Sequence, residues 1–374
     1  MSRALEETKG VRRRQRWRSR VIRSLSRIEF VVDRVHWGLR QRYGRLGPLQ
    51  VVTYRGFGTE AHAVLRGRVL EASVLERSLP ADSTFRSLRR MLRRFLSREL
   101  PEATLSARFG ASAVAGVSDD EGYFALPLVS PDFERQSGWT SAEIEIVGAK
   151  VRGLVPVRAT AEILIPSKSA QFGIISDIDD TVLQTYVTQK LKMLWVTLSG
   201  SAFTRMPFEG TSELYRALVR GASGEADNPV FYVSKSPWNL YDFLVDFIDH
   251  HGLPRGPLLL RDIGLHDEPP IDHKSAAVRE LLETYRELPF VLLGDSGERD
   301  PEVYLELAAH YPGRVAAIYI RNLNVNSRTR DRERERVLSE RARSYGTELL
   351  WIERASQALV HARERGLAAS PPSA

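Results

Sequence analysis

Hydrophobic and polar positions alternate in short runs between residues 47 and 168. Each run places apolar side chains at every second position, and turn residues such as Asp119–Gly122 separate the runs. This period buries one face of each run and predicts an antiparallel β-sandwich for residues 47–168. The runs are centred near Val51, Val64, Leu105, Phe124, Ile144 and Ile163.

One stretch inside this region changes from the period of a strand to that of a helix. Asp82 and Ser83 offer an N-terminal cap, and an apolar face bordered by arginines follows. We interpret this face as core packing against the sandwich, with a membrane-facing patch as the alternative. The apolar residues are Phe85, Leu88, Leu92, Phe95 and Leu96.

Residues 169–374 alternate short apolar runs with longer segments of helical period. This alternation predicts an α/β domain with a doubly wound parallel sheet. The mixed arginine and glutamate run Arg328–Arg343 predicts a solvated helix. The predicted strands are Phe172–Ser176, Val230–Val233, Pro257–Leu260, Phe290–Leu293, Val315–Ile320 and Glu348–Ile352, and the predicted helices include Trp238–His250, Lys274–Arg286 and Pro301–His310.

Residues 1–46 carry apolar positions in steps of three and four, which predicts a basic amphipathic helix. We favour a helix docked on the rest of the protein with solvated arginines, and attachment to an anionic membrane surface is the alternative. Nucleic-acid binding has weaker support, because no recognisable nucleic-acid module accompanies the arginines. The apolar stripe consists of Val21, Leu25, Ile28, Val32, Val35 and Leu39.

Charge and composition narrow the class of protein. The 374 residues carry a net charge of +7, but residues 1–45 hold thirteen arginines and one lysine against four acids, which leaves the remainder acidic. The absence of cysteine excludes thiolate catalysis, disulfides and cysteine-based zinc sites. No run of about 18 apolar residues occurs, and no apolar segment follows the basic stretch Val11–Arg20. We therefore expect a cytoplasmic protein, with peripheral attachment to a membrane left open.

Polar side chains stand at the carboxyl ends of the predicted strands, where open α/β sheets bind their ligands. Carboxylates, a hydroxyl and an ammonium at one edge would together hold Mg²⁺ and a phosphoryl group. They are Asp177, Asp179 and Thr181 after the first strand, Ser234 after the second, His273 and Lys274 at the start of a helix, and Asp295 and Asp300 after the fourth strand.

Phosphoryl-transfer chemistry suggests a role for each of these groups. Asp177, first at the strand end, suits a nucleophile that forms an aspartyl-phosphate. Asp179 suits protonation of the departing oxygen and later activation of water. The carboxylates of Asp177 and Asp295 and the backbone carbonyl of Asp179 would bind Mg²⁺. Lys274 would neutralise the phosphoryl oxygens, and Ser234 would hydrogen-bond them.

The sequence around these positions resembles a known family. The strings D-I-D-D-T-V, V-S, K and G-D-x-x-x-x-D resemble motifs I to IV of the haloacid-dehalogenase superfamily of phosphatases. Over residues 170–325, the longer strings S-D-I-D-D-T-V, Y-V-S-K-S-P-W-N-L-Y, H-K and L-G-D-S-G-E-R-D-P-E-V-Y are similar to the catalytic domain of actin-patch-protein-type phosphatidate phosphatases. The resemblance implies Mg²⁺-dependent removal of phosphate from phosphatidic acid. It supports Asp177 as nucleophile and Asp179 as acid/base, and it assigns Ser234, Lys274, Asp295 and Asp300 to motifs II to IV.

Further residues complete the predicted site. Thr181 joins the catalytic set, and Asp300 either binds the metal or orients Lys274. Arg321, beside a strand end, would contact the substrate phosphate or form a structural ion pair. The predicted metal ligands are Asp177, Asp179, Asp295 and Asp300, and the predicted substrate-binding residues are Ser234, Lys235, Lys274 and Arg321.

The segment Lys190–Pro207, just past motif I, carries both apolar and basic side chains. It is either a flap that contacts acyl chains and a headgroup or an ordinary amphipathic helix. We predict a Mg²⁺-dependent phosphatase acting on phosphatidic acid or a related lipid phosphate. The alternatives are a soluble phosphomonoesterase acting on a sugar, nucleotide or nucleic-acid end, and a non-catalytic membrane-associated scaffold.

Overall fold

The computed structural model describes residues 49–71, 98–149, 156–178, 210–261, 273–322 and 329–370. Within these ranges a largely antiparallel sheet precedes a parallel sheet, so the fold is mixed α/β. The predicted N-terminal helix at residues 1–46, the helical insert near residues 82–96 and the segment 190–207 lie outside the described residues.

The first sheet contains the six alternating runs, each within a strand, which confirms those strand predictions. Among the described residues it has nine strands, β1 (Leu49–Thr53), β2 (Gly56–Gly58), β3 (His62–Glu71), β4 (Arg98–Glu99), β5 (Thr104–Phe109), β6 (Ser112–Val117), β7 (Tyr123–Val129), β8 (Gly138–Gly148) and β9 (Val157–Ile165). Their order is β1-β3-β2-β9-β8-β5-β6, with β4 and β7 also paired to β3. The inward side chains, Leu65, Leu105 and Ile144 among them, share one apolar core. A two-sheet sandwich remains a prediction.

The second sheet is parallel and carries the predicted strand ends. Its strands in the described ranges are β10 (Gly173–Asp177), β11 (Val230–Pro237), β12 (Leu258–Arg261), β13 (Phe290–Asp295), β14 (Val315–Arg321) and β15 (Leu349–Ile352), in the order β12-β11-β10-β13-β14-β15. Strands β10, β11, β13 and β14 run further than the sequence predicted. Asp177, Ser234, Asp295 and Arg321 therefore lie inside strands, because the backbone continues its extended course through these polar positions.

Helices cover both faces of the parallel sheet. They are α1 (Thr211–Arg220), α2 (Tyr241–His250), α3 (His273–Thr284), α4 (Asp300–His310), α5 (Thr329–Ser344) and α6 (Ala355–Glu364). Side chains alternate across a strand, so Ile174 packs with α1, α2 and α6, while Ile175 packs with α3, α4 and α5. The sequence predicted α2 to α5 to within a few residues but did not predict α1 or α6.

The two sheets also pack against each other. Phe57 of β2 lies 5.8 Å from Phe231 of β11 between ring centroids, in an edge-on arrangement. Tyr54 stacks on Trp238 at 4.2 Å, next to the start of α2. The backbone N–H of Arg55 donates to the Tyr241 hydroxyl at 2.7 Å. Apolar and polar contacts thus fix the first sheet beside the strand that carries Ser234.

Asn228 holds the beginning of β10 in place, and its loss should destabilise the fold. Its Oδ1 accepts the backbone N–H of Gln171 at 2.7 Å and of Phe172 at 3.2 Å, and its Nδ2 donates to the Leu218 carbonyl at 2.8 Å. Asn228→Ala removes these three hydrogen bonds, leaves the buried backbone N–H of Phe172 without its Asn228 partner, and should lower the free energy of unfolding by about 1–3 kcal/mol. Urea denaturation measures this change. The exposed neighbour Asp227→Ala is the control, and equal losses in the two variants would contradict the prediction.

Candidate active site

Adjacent parallel strands bring acidic and hydroxyl side chains to one edge of the second sheet. Strand β10 lies between β11 and β13, and Asp177 is opposite Val233 in the β10–β11 register. Ser234 is the next residue beyond that pair, and Asp295 ends β13 on the other side of β10. Asp177 and Asp295 are both 0% exposed. Carboxylates removed from water to this degree require a positive partner, because an unpaired buried charge costs several kcal/mol.

Lys274 supplies this positive charge from the first turn of α3. Its Nζ lies 2.5 Å from Asp300 Oδ1 and 3.1 Å from Asp177 Oδ1. Glu298 Oε2 is a third partner, at 2.9 Å. Lys274 is itself buried, so these ion pairs form where charge is weakly screened. The lysine therefore ties the end of β10 to the loop and helix that follow β13.

The protonation of this cluster follows from burial and from these contacts. Burial disfavours the charged form of Lys274, but the carboxylates of Asp177 and Asp300 outweigh it and hold the pKa of Lys274 far above its usual range. Burial raises the pKa of Asp300 to about 6, against the opposing effect of Lys274. Burial also acts to raise the pKa of Glu298, but Lys274 and Lys235 together lower it below its usual range.

Asp295 uses its two carboxylate oxygens differently. Oδ1 accepts the backbone N–H of Gly297 at 2.6 Å and of Glu298 at 3.1 Å, which closes a tight turn after β13. Oδ2 is buried and receives no hydrogen bond from any described residue. Since buried polar atoms in native proteins are almost always satisfied, this oxygen marks a position that a cation would fill.

Gly294 allows α4 to approach the end of β13. A Cβ at this position would lie 2.6 Å from Asp300 Oδ2 and 2.8 Å from Asp300 Cβ. That Oδ2 accepts the backbone N–H of Asp295 at 3.2 Å. Any side chain at residue 294 would therefore push Asp300 away from the other acidic groups.

The acidic groups fit a divalent cation. One carboxylate oxygen from each of Asp177, Asp295 and Asp300 lies within 4.8 Å of the others, and all three residues are buried. Hard divalent ions such as Mg²⁺ prefer oxygen ligands of this kind. The unsatisfied Oδ2 of Asp295 supports the same conclusion.

Residues 172–322, which include this whole cluster, match the family model described as "Phosphatidate phosphatase APP1, catalytic domain". These residues form an APP1-type catalytic domain. The family predicted from the motif strings is therefore confirmed for this part of the chain.

Two yeast proteins and one solved structure show likeness to the chain. Phosphatidate phosphatase APP1 of Saccharomyces cerevisiae is 32% identical over 154 residues, which cover 40% of this chain and 25% of that protein. An uncharacterised protein of Schizosaccharomyces pombe is 28% identical over 208 residues, which cover 54% of this chain and 33% of that protein. The chain thus spans a third or less of the length of these relatives. A putative alpha-galactosidase from Bacteroides fragilis, 11% identical over 86% of this chain and 56% of its own, has a TM-score of 0.24, too low to bear on the fold.

Within the APP1-type domain, four predicted site residues come together. Asp177, Asp295 and Asp300 form the acidic group, and Lys274 contacts two of its members. Asp300 therefore meets the geometry of both of its predicted roles, because it lies among the acidic residues and also pairs with the lysine. Asp179 and Thr181 lie outside the described residues, so their roles remain predictions.

The predicted substrate-binding residues surround this cluster less closely. Ser234 is buried, and its Oγ accepts the backbone N–H of Ser236 at 2.9 Å. Lys235 is half-exposed and pairs with Glu298 at 2.7 Å. Arg321 is the last residue of β14 and lies opposite Asp295 in the β13–β14 register. Ser234 and Lys235 lie within the second half of β11, beyond the residue that pairs with Asp177.

Glu298 is a site residue that the motif analysis missed. Its carboxylate oxygen Oε2 contacts both Lys274 and Lys235. The sequence offered one signal, since Glu298 lies between the two aspartates of motif IV. An acidic residue in a loop is usually solvated, and only the turn built on Asp295 directs this one toward the lysines.

None of the helices in the described ranges has the length and apolar character needed to cross a bilayer.

Proposed function

We propose that this protein is a Mg²⁺-dependent phosphatase that hydrolyses phosphatidic acid, or a related lipid phosphate, to diacylglycerol and phosphate. The observation that carries the proposal is the ion-paired cluster of Lys274 with Asp177 and Asp300, inside the stretch that matches the APP1 catalytic domain. The name of the budding-yeast relative supports phosphatidic acid as the substrate.

In the proposed reaction, Asp177 attacks the phosphorus atom and forms an aspartyl-phosphate. The bond between phosphorus and the glycerol oxygen breaks, and Asp179 gives its proton to that oxygen. Asp179 then takes a proton from a water molecule, which attacks the phosphorus and releases inorganic phosphate and the free carboxylate of Asp177. Thr181 follows in the same motif and would help to orient the phosphoryl group.

The remaining residues would bind and neutralise the phosphoryl oxygens. Lys274 is placed for this because it already contacts the nucleophile, Asp177. Ser234 would donate a hydrogen bond, and Lys235 and Arg321 would supply further positive charge. Phosphoryl transfer depends mainly on such positioning and charge stabilisation.

Mg²⁺ would be held by the carboxylates of Asp177, Asp295 and Asp300, together with the backbone carbonyl of Asp179. When bound, the ion would offset the negative charge that collects between the acidic residues and the phosphate.

The proposal extends to the architecture of the chain. We assign residues 169–374 to a haloacid-dehalogenase-like phosphatase domain, supported by helices on both faces of the parallel sheet. Residues 47–168 would form a separate sandwich domain. Residues 1–46 would be a basic helix of a cytoplasmic protein, either docked on the rest of the chain or attached peripherally to anionic membranes. Vesicle flotation with and without residues 1–46 would test this attachment, which should weaken as salt rises.

Substrate choice is tested by phosphate release from phosphatidic acid in mixed micelles, beside a soluble aryl phosphate. We expect the lipid to be hydrolysed well above the aryl phosphate, and both activities to disappear in EDTA. If only the aryl phosphate is hydrolysed, the proposed phosphatase reaction stands and the substrate is a soluble phosphate instead of a lipid. No hydrolysis of either compound would refute the proposal as stated.

Mg²⁺ should stabilise the folded protein through the acidic cluster. At a concentration one hundred times the dissociation constant, bound Mg²⁺ should add about 2.7 kcal/mol to the free energy of unfolding, which raises Tm. Asp295→Asn removes a charged ligand at the position of the unsatisfied oxygen and should abolish most of this shift. Thermal denaturation with and without Mg²⁺ measures it. The exposed Asp227→Asn serves as control, and an unchanged shift in Asp295→Asn would place the metal elsewhere.

A further inference from the structure

Glu298 links the buried ammonium of Lys274 to the half-exposed ammonium of Lys235 next to the acidic cluster. Its Oε2 lies 2.9 Å from Lys274 Nζ and 2.7 Å from Lys235 Nζ. Side-chain exposure rises from 4% at Lys274 through 23% at Glu298 to 42% at Lys235. Glu298 therefore stands between the buried carboxylates and the solvent.

The loop that carries Glu298 is held by its backbone. The Glu298 N–H and the Gly297 N–H both donate to Asp295 Oδ1. The preceding N–H, of Ser296, donates to the Arg321 carbonyl at 2.9 Å. Because none of these bonds uses the Glu298 carboxylate, its side chain can leave the lysines without unfolding the loop.

The place that this carboxylate occupies is suited to a phosphate oxygen. Ammonium groups bind carboxylate and phosphate oxygens by the same charge-assisted hydrogen bonds. Lys274 and Lys235 converge on a single oxygen of Glu298, as they would on an oxygen of a phosphoryl group. A phosphate bound to the same two lysines would lie next to the Glu298 carboxylate and would repel it, so the two anions compete for the lysines.

We propose that Glu298 is a displaceable carboxylate, which pairs with Lys235 and Lys274 when no ligand is bound and gives way to the phosphoryl oxygens of the substrate. This inference rests on the proposed function and adds an internal competitor to its phosphate-binding site. Without a ligand, the Glu298 carboxylate keeps Lys235 and Lys274 in position next to the acidic cluster. It also weakens the hold on product phosphate, which favours its release.

Glu298→Gln tests the proposal because it keeps the size of the side chain and removes the competing charge. We expect the dissociation constant for inorganic phosphate, measured by calorimetry in Mg²⁺ buffer, to fall about tenfold, as the loss of one nearby negative charge predicts. Glu302→Gln is the matched control. It removes the same charge in the first turn of α4, where Glu302 pairs with Arg334 at 2.6 Å, and should change phosphate binding less than twofold.

Lys235→Gln and the double variant show whether Glu298 acts through the lysine. In the Lys235→Gln background, the gain from Glu298→Gln should shrink to threefold or less, because one of the two ammonium groups is gone. A purely structural role for Glu298 would not produce a gain in affinity that depends on Lys235.

Each outcome decides the proposal. The proposal is overturned if Glu298→Gln binds phosphate no more tightly than the wild type, or if neither of these two proteins binds phosphate. It is also overturned if Glu302→Gln tightens phosphate binding as much as Glu298→Gln does. Hydrolysis of phosphatidic acid and of aryl phosphate is followed on the same preparations. Failure of the proposed function appears as a wild type that hydrolyses neither compound. If only the displaceable carboxylate fails, the wild type is active and the Glu298→Gln substitution does not raise the affinity for phosphate.

Discussion

Asp177→Asn should reduce the release of phosphate by about 10⁴-fold or more, the scale on which enzymes lose activity when the nucleophile is removed. The amide is uncharged and a poor nucleophile, so no aspartyl-phosphate should form. The side chain keeps its size at the fully buried end of β10. The measurement is phosphate release in Mg²⁺ from whichever phosphomonoester the wild type hydrolyses.

The same substitution should leave the fold intact. Asp177 is one of several carboxylates around Lys274, and Asp300 and Glu298 remain as partners of the ammonium. Circular dichroism and Tm should therefore match the wild type closely in EDTA. Asp227→Asn, an exposed substitution of the same kind, should retain full activity. A folded Asp177→Asn protein with substantial activity would assign the nucleophile to another group.

Lys274→Gln should lower the free energy of unfolding in EDTA by about 3–5 kcal/mol, the cost of removing one partner of a buried ion pair. The substitution leaves Asp177 and Asp300 buried without the ammonium that contacts both. Urea denaturation measures the loss, and part of it should be recovered in Mg²⁺, which replaces positive charge. Hydrolysis should also fall, by about 10²–10³-fold, as when one group that stabilises transition-state charge is removed.

Lys235→Gln is the natural comparison for this second experiment. Lys235 pairs with Glu298 but is half-exposed, so its removal should cost no more than about 1 kcal/mol. Equal destabilisation by the two lysine substitutions would mean that burial does not set the strength of the Lys274 ion pairs.

The sequence predicted the elements whose apolar pattern is strong. All six parallel strands were found, because strands buried on both faces are continuous apolar runs. The ends of those strands then indicated Asp177 and Asp295 as neighbours, since parallel strands end at one edge of a sheet, and the start of a predicted helix added Lys274. The grouping of site residues thus followed from topology and from the motif strings together.

The elements that were missed have weak patterns or no side-chain cap. Helix α6 buries Ala355, Ala358 and Ala362, small residues that give little apolar contrast along the sequence. Strand β6 is similar, with the sequence S-A-V-A-G-V. Helix α1 does have the helical spacing, but its N-cap is Gly210, so the usual capping side chain was absent as a signal.

Glu298 shows the limit of motif spacing at the site itself. Its role depends on a turn in which Asp295 accepts two backbone N–H groups, and on a lysine that belongs to a different strand. Residue type alone predicts neither this turn nor the closeness of Glu298 to Lys235. The extended strand ends are a second example, because Asp177 still pairs with the neighbouring strand and Ser234 still lies inside β11, although the hydrophobicity pattern ends each strand one residue earlier.

The packing of the two sheets has a consequence for how this catalytic unit can be exchanged between proteins. Phe57 and Leu164 of the first sheet belong to the same apolar cluster as Phe231 and Ile318 of the second. Strand β15 and helix α6, beyond residue 322, complete the other end of the sheet. The stretch recognised as a family unit is therefore smaller than the unit that folds. Recombination that transfers residues 172–322 alone would carry the acidic cluster into a new protein with both of its hydrophobic borders uncovered.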